Sequence, residues 1–234
     1  MKFGNTEVWG FKHALRGMRN PLESWNKSDS HYRDIDEPED EEKIINGDYY
    51  AIGKNDLELA QKLIRAGSVH RKFMRQIFVS VDITAPLYWW KEFDTYKVGT
   101  VANSTSTMHK LASTPITEEC FEMDDFENVR FMGKDIFGAN CSKDTRAIWK
   151  HIISFCEELR QKYNETKDKR YWKELIRLLP ESWLQTRTVT MNYENLLGMC
   201  SVDQRRNHKL TEWSSSFIEW AKSLPYANEL LFLK

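Results

Sequence analysis

The sequence contains no apolar run long enough to span a bilayer, which argues against a transmembrane helix. Its first residues, Met1-Lys2-Phe3-Gly4-Asn5, lack the apolar stretch of a secretory signal. With a mean hydropathy of −0.64, the expectation is a soluble, cytoplasmic chain without a membrane partner. Net charge is nearly absent, 34 Lys and Arg against 35 Asp and Glu, for a formal −1. That excludes the global basic field of non-specific nucleic-acid binders, so no nucleic-acid partner is expected, though a local basic patch stays open. Cysteine is scarce too. Cys120, Cys141, Cys156 and Cys200 are widely spaced and form no CxxC pair, which disfavours structural zinc and a disulfide scaffold. Reduced, mostly buried thiols and no metal are expected. No internal repeat is present.

Apolar and aromatic residues are plentiful. A hydrophobic fraction of 41% supports a sizeable core, and 234 residues fit one large domain or two small ones. The 9 Trp, 9 Tyr and 12 Phe fill cores and subunit interfaces more often than they stack on ligands.

Patterning along the chain predicts α+β. Trp9–Trp25 reads as a short helix and then a loop opened by Asn20-Pro21. Residues 34–43, dense in acids around Pro38, read as a solvated loop. A helix follows, with Asn55 as cap, Glu58 as capping-box acid, Gly67 as terminator, and Leu57, Ala60, Leu63 and Ile64 on one face. Ile77, Val79, Val81 and Ile83 alternate with Phe78, Ser80, Asp82 and Thr84, the pattern of a half-buried strand. Thr84 would cap the next helix, with Pro86 in its first turn; that helix runs through Trp89, Trp90, Phe93 and Tyr96 to Gly99. The second half is mainly helical. Ser142 would cap a long helix with an Ile148, Trp149, Ile152, Cys156 and Leu159 stripe. A second helix runs from about Asp168 to Leu179, and a β-like piece spans Thr186–Thr190. The Tyr193–Cys200 helix, a basic loop with Arg205 and Arg206, and a last helix from near His208 complete the chain.

Several residues line up with a known family. Ala85-Pro86-Leu87-Tyr88 opens an aromatic helix, and Lys91-Glu92-Phe93, Thr95-Tyr96-Lys97 and Thr100 follow. Together they resemble the signature of the flavin-dependent thymidylate synthases, R-H-R-x-x-S-x-N-E-x-S-x-R-Y, and the segment before it. With one inserted residue, Asn103 falls on the motif's Asn, Ser106 on its second Ser, and Met108 and His109 on its Arg and Tyr. Leu179-Pro180, Thr190-Met191-Asn192, Leu196-Leu197, His208 and Glu212 resemble the family's C-terminal pattern. The family's arginine ahead of that histidine falls near Gln204, beside Arg205 and Arg206.

The resemblance implies one thymidylate synthase-like domain over residues 1–234. It implies a central antiparallel sheet packed by long helices, and a homotetramer with sites between subunits. The implied activity converts dUMP to dTMP, with methylenetetrahydrofolate as carbon donor, reduced FAD as hydride donor and NADPH as reductant. Carried over position by position, it makes Tyr96, Lys97, Asn103, Asn192 and His208 cofactor-binding. Glu92, Thr105, Ser106, Thr107 and Arg205 become substrate-binding. Thr95 and Met108 replace arginines of the motif, and Glu194 stands where a basic residue is common. Arg16, Arg19, Arg75, Arg177, Arg205 or Arg206 is then the candidate to supply the missing charge from another subunit. Blander readings stand beside these: hydroxyl runs after glycine usually form turns, Trp89 and Trp90 usually fill cores, and His70-Arg71-Lys72 reads as an exposed basic turn. Two other functions fit the altered motif, a non-catalytic nucleotide-sequestering homo-oligomer and an aromatic interaction module.

Overall fold

A computed structural model describes residues 1–33, 50–96 and 98–233, and only the backbone of Arg205 and Arg206. The acidic stretch 34–43 and Lys97 lie outside the described residues. In chain order the elements are β1 (Lys2–Trp9), α1 (Phe11–Arg19), β2 (His31–Tyr32), β3 (Tyr50–Ala51), α2 (Lys54–Arg65), β4 (Phe78–Pro86), α3 (Leu87–Phe93) and β5 (Val101–Ser104). Then come α4 (Thr107–Lys110), β6 (Arg130–Lys134), β7 (Asn140–Asp144), α5 (Thr145–Thr166), α6 (Lys169–Leu178) and β8 (Leu184–Asn192). The chain ends with α7 (Tyr193–Met199), α8 (Val202–Asn207), a π-helix (Glu212–Phe217), α9 (Ile218–Lys222) and α10 (Ala227–Leu230). These divide into two compact units. The first comprises Met1–Thr84, Trp89–Ser104 and Thr186–Lys234, and the second Ala85–Tyr88 and Thr105–Gln185.

The first unit holds a four-stranded sheet in the order β1-β4-β8-β5, with β1 antiparallel to β4 and β5 antiparallel to β8. The alternation of β4 is realised: Ile77, Val79, Val81 and Ile83 are at most 1% exposed. The other face carries hydroxyl rungs to β8. Ser80 bonds Thr190 at 2.6 Å, Thr188 donates to Asp82 at 2.5 Å, and Thr84 bonds Thr186 at 2.7 Å. These partners run in opposite chain directions, so β4 and β8 are antiparallel as well. Thr84 is therefore a strand residue, not a helix cap, because its hydroxyl is taken by Thr186. The chain turns from β1 into α1 at Gly10, with φ +100°. A Cβ there would lie 2.1 Å from the Gln76 carbonyl oxygen, so only glycine fits.

Helix α2 is capped differently from the sequence expectation. Gly53 is its N-cap, and the Asp29 carboxylate accepts from the backbone N–H of Asn55 (2.8 Å) and Asp56 (3.1 Å). Asn55 lies inside the first turn. On α2 the buried residues are Asp56, Ala60 and Ile64, spaced four apart on one face. Aromatic rings fill this unit's core: Trp89 packs on Trp90, Phe93, Trp213 and Phe217 at centroid separations of 5.0–5.7 Å. The buried Trp89 Nε1–H has no acceptor among the described residues. The basic segment around Arg205 and Arg206 is the short helix α8, not a loop, and the last helix begins as a π-helix at Glu212.

The second unit builds its own core from Leu111, Ile116, Phe121, Ile153, Cys156, Leu159, Leu175 and Trp183. Asp144, not Ser142, caps α5, accepting from the Ala147 N–H at 3.0 Å; Ser142 lies in β7. Ile148, expected in the buried stripe of α5, is 45% exposed, while Ile153 takes a buried place beside Cys156 and Leu159. Helix α6 starts where the sequence implies, and Asp168 caps it through the Arg170 N–H. Glu157 accepts from Arg160 at 2.6 and 2.7 Å and from the Ile116 N–H at 2.8 Å. The Arg160 bonds chiefly hold its carboxyl at about 2. Among the described residues no helix is long and apolar enough to cross a membrane. All four cysteines are free; Cys156 and Cys200 are buried, Cys120 and Cys141 half-buried.

Candidate functional site

Three of the sequence-derived candidates converge in the first unit. Glu92 projects from α3, Tyr96 ends the 3₁₀ turn Asp94–Tyr96, and His208 forms the C-cap of α8. Gln204 of α8 donates from Nε2 to the Tyr96 hydroxyl at 2.7 Å. Tyr96 and His208 both lean on the fully buried Trp213. Its ring is 5.4 Å from Tyr96, and it stacks on His208 at 4.9 Å and 11°.

The His208 tautomer follows from its bonding. The Leu210 N–H donates to Nδ1 at 3.1 Å, so Nδ1 is the acceptor and the ring proton sits on Nε2. Nε2 lies 3.6 Å from the Glu92 carboxylate, whose side chain is 38% exposed. Burial, and then the Glu92 charge, raise the Tyr96 phenol above its usual value, and the Gln204 bond opposes them. The result is a half-open wall of rings edged by one amide and one carboxylate.

The other candidates fall elsewhere. Asn192 caps α7: its Oδ1 accepts from the Asn195 N–H at 3.0 Å, and Asn195 Oδ1 accepts from the Asn192 N–H at 3.2 Å. Asn195 also donates to the Val98 carbonyl at 2.5 Å, and a Cβ on Gly99 would lie 2.9 Å from Asn192 Nδ2. Asn195 thus holds the turn that follows the signature triplet, and Asn192 acts on it only through their shared capping pair. Asn103 is exposed on β5, opposite Thr188. Thr105, Ser106 and Thr107 belong to the second unit. There Ser106 caps α4 through the His109 N–H, and Gln185 donates to the Thr105 carbonyl at 3.0 Å. Arg205 lies on α8.

Two charge clusters escaped the sequence reading. Arg187 donates to Asp94 at 3.0 Å, with its guanidinium 4.3 Å from the Trp90 ring centroid. Arg71 and Arg75 both bond Glu194, so the acid at the usually basic position carries its own cations. The triplet spacing gave no hint of either. Of the arginines held in reserve, Arg19 is tied to buried Asp56, Arg177 to Glu174, and Arg16 lies over Trp25.

The first unit also carries a cleft of about 1240 Å³ between the end of α1, the turn at residues 20–27, α2 and residues 69–76. That exceeds the roughly 300–1,000 Å³ of drug-sized pockets. His70 and Lys72, read from the sequence as an exposed basic turn, line it together with Lys27 and Lys62. A flavin dinucleotide and a nucleotide require flat walls, amide edges and cations. The Trp213 wall and Gln204 supply the first two and the lysine-lined cleft the third; Tyr96, Gln204, His208 and Trp213 are not among the residues lining the cleft, so the two are separate features that each fit part of such a ligand.

No protein-family model and no curated protein matches the sequence. Solved structures do match. Thymidylate synthase X (ThyX) from Helicobacter pylori, in a structure with FAD and dUMP, is 16% identical with a TM-score of 0.64, covering 99% of this chain and 97% of its own. A second Helicobacter pylori flavin-dependent thymidylate synthase structure, also complexed with FAD and dUMP, gives 15% and 0.63, with 99% and 98% covered. The UMP/dUMP methylase PolB from Streptomyces cacaoi, bound with 5-Br dUMP, gives 15% and 0.55, with 99% and 95% covered. Over nearly its whole length, then, the chain has the fold of the flavin-dependent thymidylate synthases.

Proposed function

We propose that this chain is a divergent flavin-dependent pyrimidine-nucleotide methylase. It binds FAD and a pyrimidine nucleotide, with dUMP as substrate, dTMP as product, methylenetetrahydrofolate as carbon donor and NADPH as reductant. It works in the cytoplasm as a homotetramer with sites between subunits. When bound, reduced flavin supplies the hydride that turns a transferred methylene into a methyl group. The chain's own residues bind and orient. Tyr96 and His208, braced on Trp213, wall the ring; Gln204 and Glu92 edge it with a donor and an acceptor. Asn195, paired with Asn192 in the cap of α7, holds the turn at Val98, and the cleft lysines attract phosphates.

The observation that carries this reading is the convergence of His208 on Glu92 and Tyr96, positions matched to the family's pattern in two distant parts of the chain. The test is the absorbance spectrum of purified protein after loading with FAD and removing the excess. A retained flavin band that shifts with dUMP, followed by dTMP formation, is expected. No retained flavin, with tight nucleotide binding by calorimetry, would replace it with a sequestering protein on the same fold. Met108 favours that second reading: it stands 55% exposed where the motif has an arginine.

A further inference from the structure

Arg19 stands out among the residues lining the cleft, because it is only 4% exposed. Its Nε donates to Asp56 Oδ1 at 2.5 Å, and Nη1 reaches the Ser24 carbonyl at 3.4 Å. Nη2 makes no hydrogen bond among the described residues, nor is it among the polar atoms sealed from solvent. Asp56, fully buried, also accepts from the hydroxyls of Ser28 (2.6 Å) and Ser30 (2.5 Å). The carboxylate is thus saturated on its own side, and it locks the guanidinium in one orientation with an unused edge.

We infer that Arg19 is the anion anchor of this cleft, taking a phosphate or diphosphate group on Nη2 while the neighbouring apolar side chains of the cleft take only the part of the ligand next to that group. A buried guanidinium held from behind loses little freedom on binding and presents donors matched to phosphate geometry. Cations outnumber acids on the cleft, Arg19, Lys27, Lys62 and Lys72 against Glu23 and Glu58, which favours the same class. Lys27, Lys62 and Lys72 have no carboxylate in ion-pair range among the described residues, while Glu58 lies 4.0 Å from Lys54. Leu59, Leu63 and Phe73 provide the apolar surface. The ligand is a phosphorylated molecule with a flat or apolar portion. This deepens the proposed function by naming where a nucleotide cofactor's phosphates dock, and it rests on that reading only for the cofactor's identity.

The experiment is calorimetry on the full chain with three probes: pyrophosphate, FAD and riboflavin, which lacks phosphate. Wild type is expected to bind pyrophosphate in a salt-sensitive manner and to prefer FAD over riboflavin at least tenfold. Arg19→Lys keeps a charge beside Asp56 but loses the free edge, and is expected to weaken pyrophosphate at least tenfold. Lys62→Gln with Lys72→Gln is expected to cost a few-fold. If Arg19→Lys does not fold, ¹⁵N NMR of the arginine side chains in wild type decides, since pyrophosphate must shift the Arg19 signals. Unshifted Arg19 signals, no pyrophosphate binding, or full affinity in folded Arg19→Lys would each overturn the anchor. Flavin retained without pyrophosphate competition would remove the anchor and leave the proposed function standing. Pyrophosphate bound on Arg19 in a protein that retains no flavin would do the reverse.

Discussion

Gln204 donates a hydrogen bond to the Tyr96 hydroxyl at 2.7 Å, joining α8 to the turn that ends the aromatic helix α3. The two residues are far apart in sequence, so this bond helps to join the C-terminal segment to the signature segment, beside the Tyr96–Trp213 and Glu92–His208 contacts. Burial and the charge of Glu92 disfavour the Tyr96 phenolate, and the Gln204 bond is the opposing influence. Gln204→Leu is therefore expected to push the Tyr96 phenol further up. Ultraviolet difference titration, with Tyr96→Phe as the blank, reads it. A downward movement would show that Gln204 does not stabilise the phenolate.

Acid stability should depend on Glu157. Its carboxyl is held at about 2, against an ordinary 4.5, chiefly by Arg160. A depressed acid stabilises the fold above its unfolded value and loses that contribution as pH falls through its folded value. The window therefore runs from about pH 4.5 down to about 2, and the stake is at most about 3 kcal/mol. Glu157→Gln should flatten urea-unfolding midpoints across that window. An unchanged pH slope would refute the assignment.

Removing the Asp56 charge should be costly. Asp56→Asn leaves Arg19 buried beside a neutral amide, and losing one partner of such a pair costs about 3–5 kcal/mol. Chemical denaturation measures this directly. A loss below about 1 kcal/mol would mean that the pair is more hydrated than its burial implies.

Gly10→Ala should destabilise by about 3 kcal/mol, combining left-handed backbone strain with a backbone clash. The clash is with the Gln76 carbonyl oxygen, 2.1 Å from the new Cβ, and that neighbour is backbone with no rotamer to change. Unfolding midpoints of the variant and wild type give the answer.

Local patterning carried much of the fold. The β4 alternation, the extent of α6 from about Asp168 and the α2 face with Ala60 and Ile64 are short-range signals, and each is realised in the structure. Where the sequence reading failed, a distant group had intervened. Asp29 displaced Asn55 as the capping group of α2, and Thr186 took the hydroxyl assigned to a cap at Thr84. Strand β1 and the β6–β7 hairpin went unread, since β1 carries Gly4, Asn5 and an irregular register, and β6–β7 is largely exposed. In the site, Glu92, Tyr96 and His208 were legible through the family's pattern. Gln204 was seen only as a missing arginine. The Arg19–Asp56 pair was invisible because no local spacing joins residues 37 apart.

The indole N–H of Trp89 offers a clock. It sits between other rings with neither a hydrogen-bond acceptor among the described residues nor solvent contact. That hydrogen reaches deuterated water only when the surrounding core opens. Its exchange lifetime by NMR should therefore match the slowest backbone amides of β4, timing how often the centre of the first unit comes apart. Trp89→Phe would stop this clock while sparing the core an unpaired donor, so its cost should fall well below the 3–5 kcal/mol typical of emptying an aromatic site.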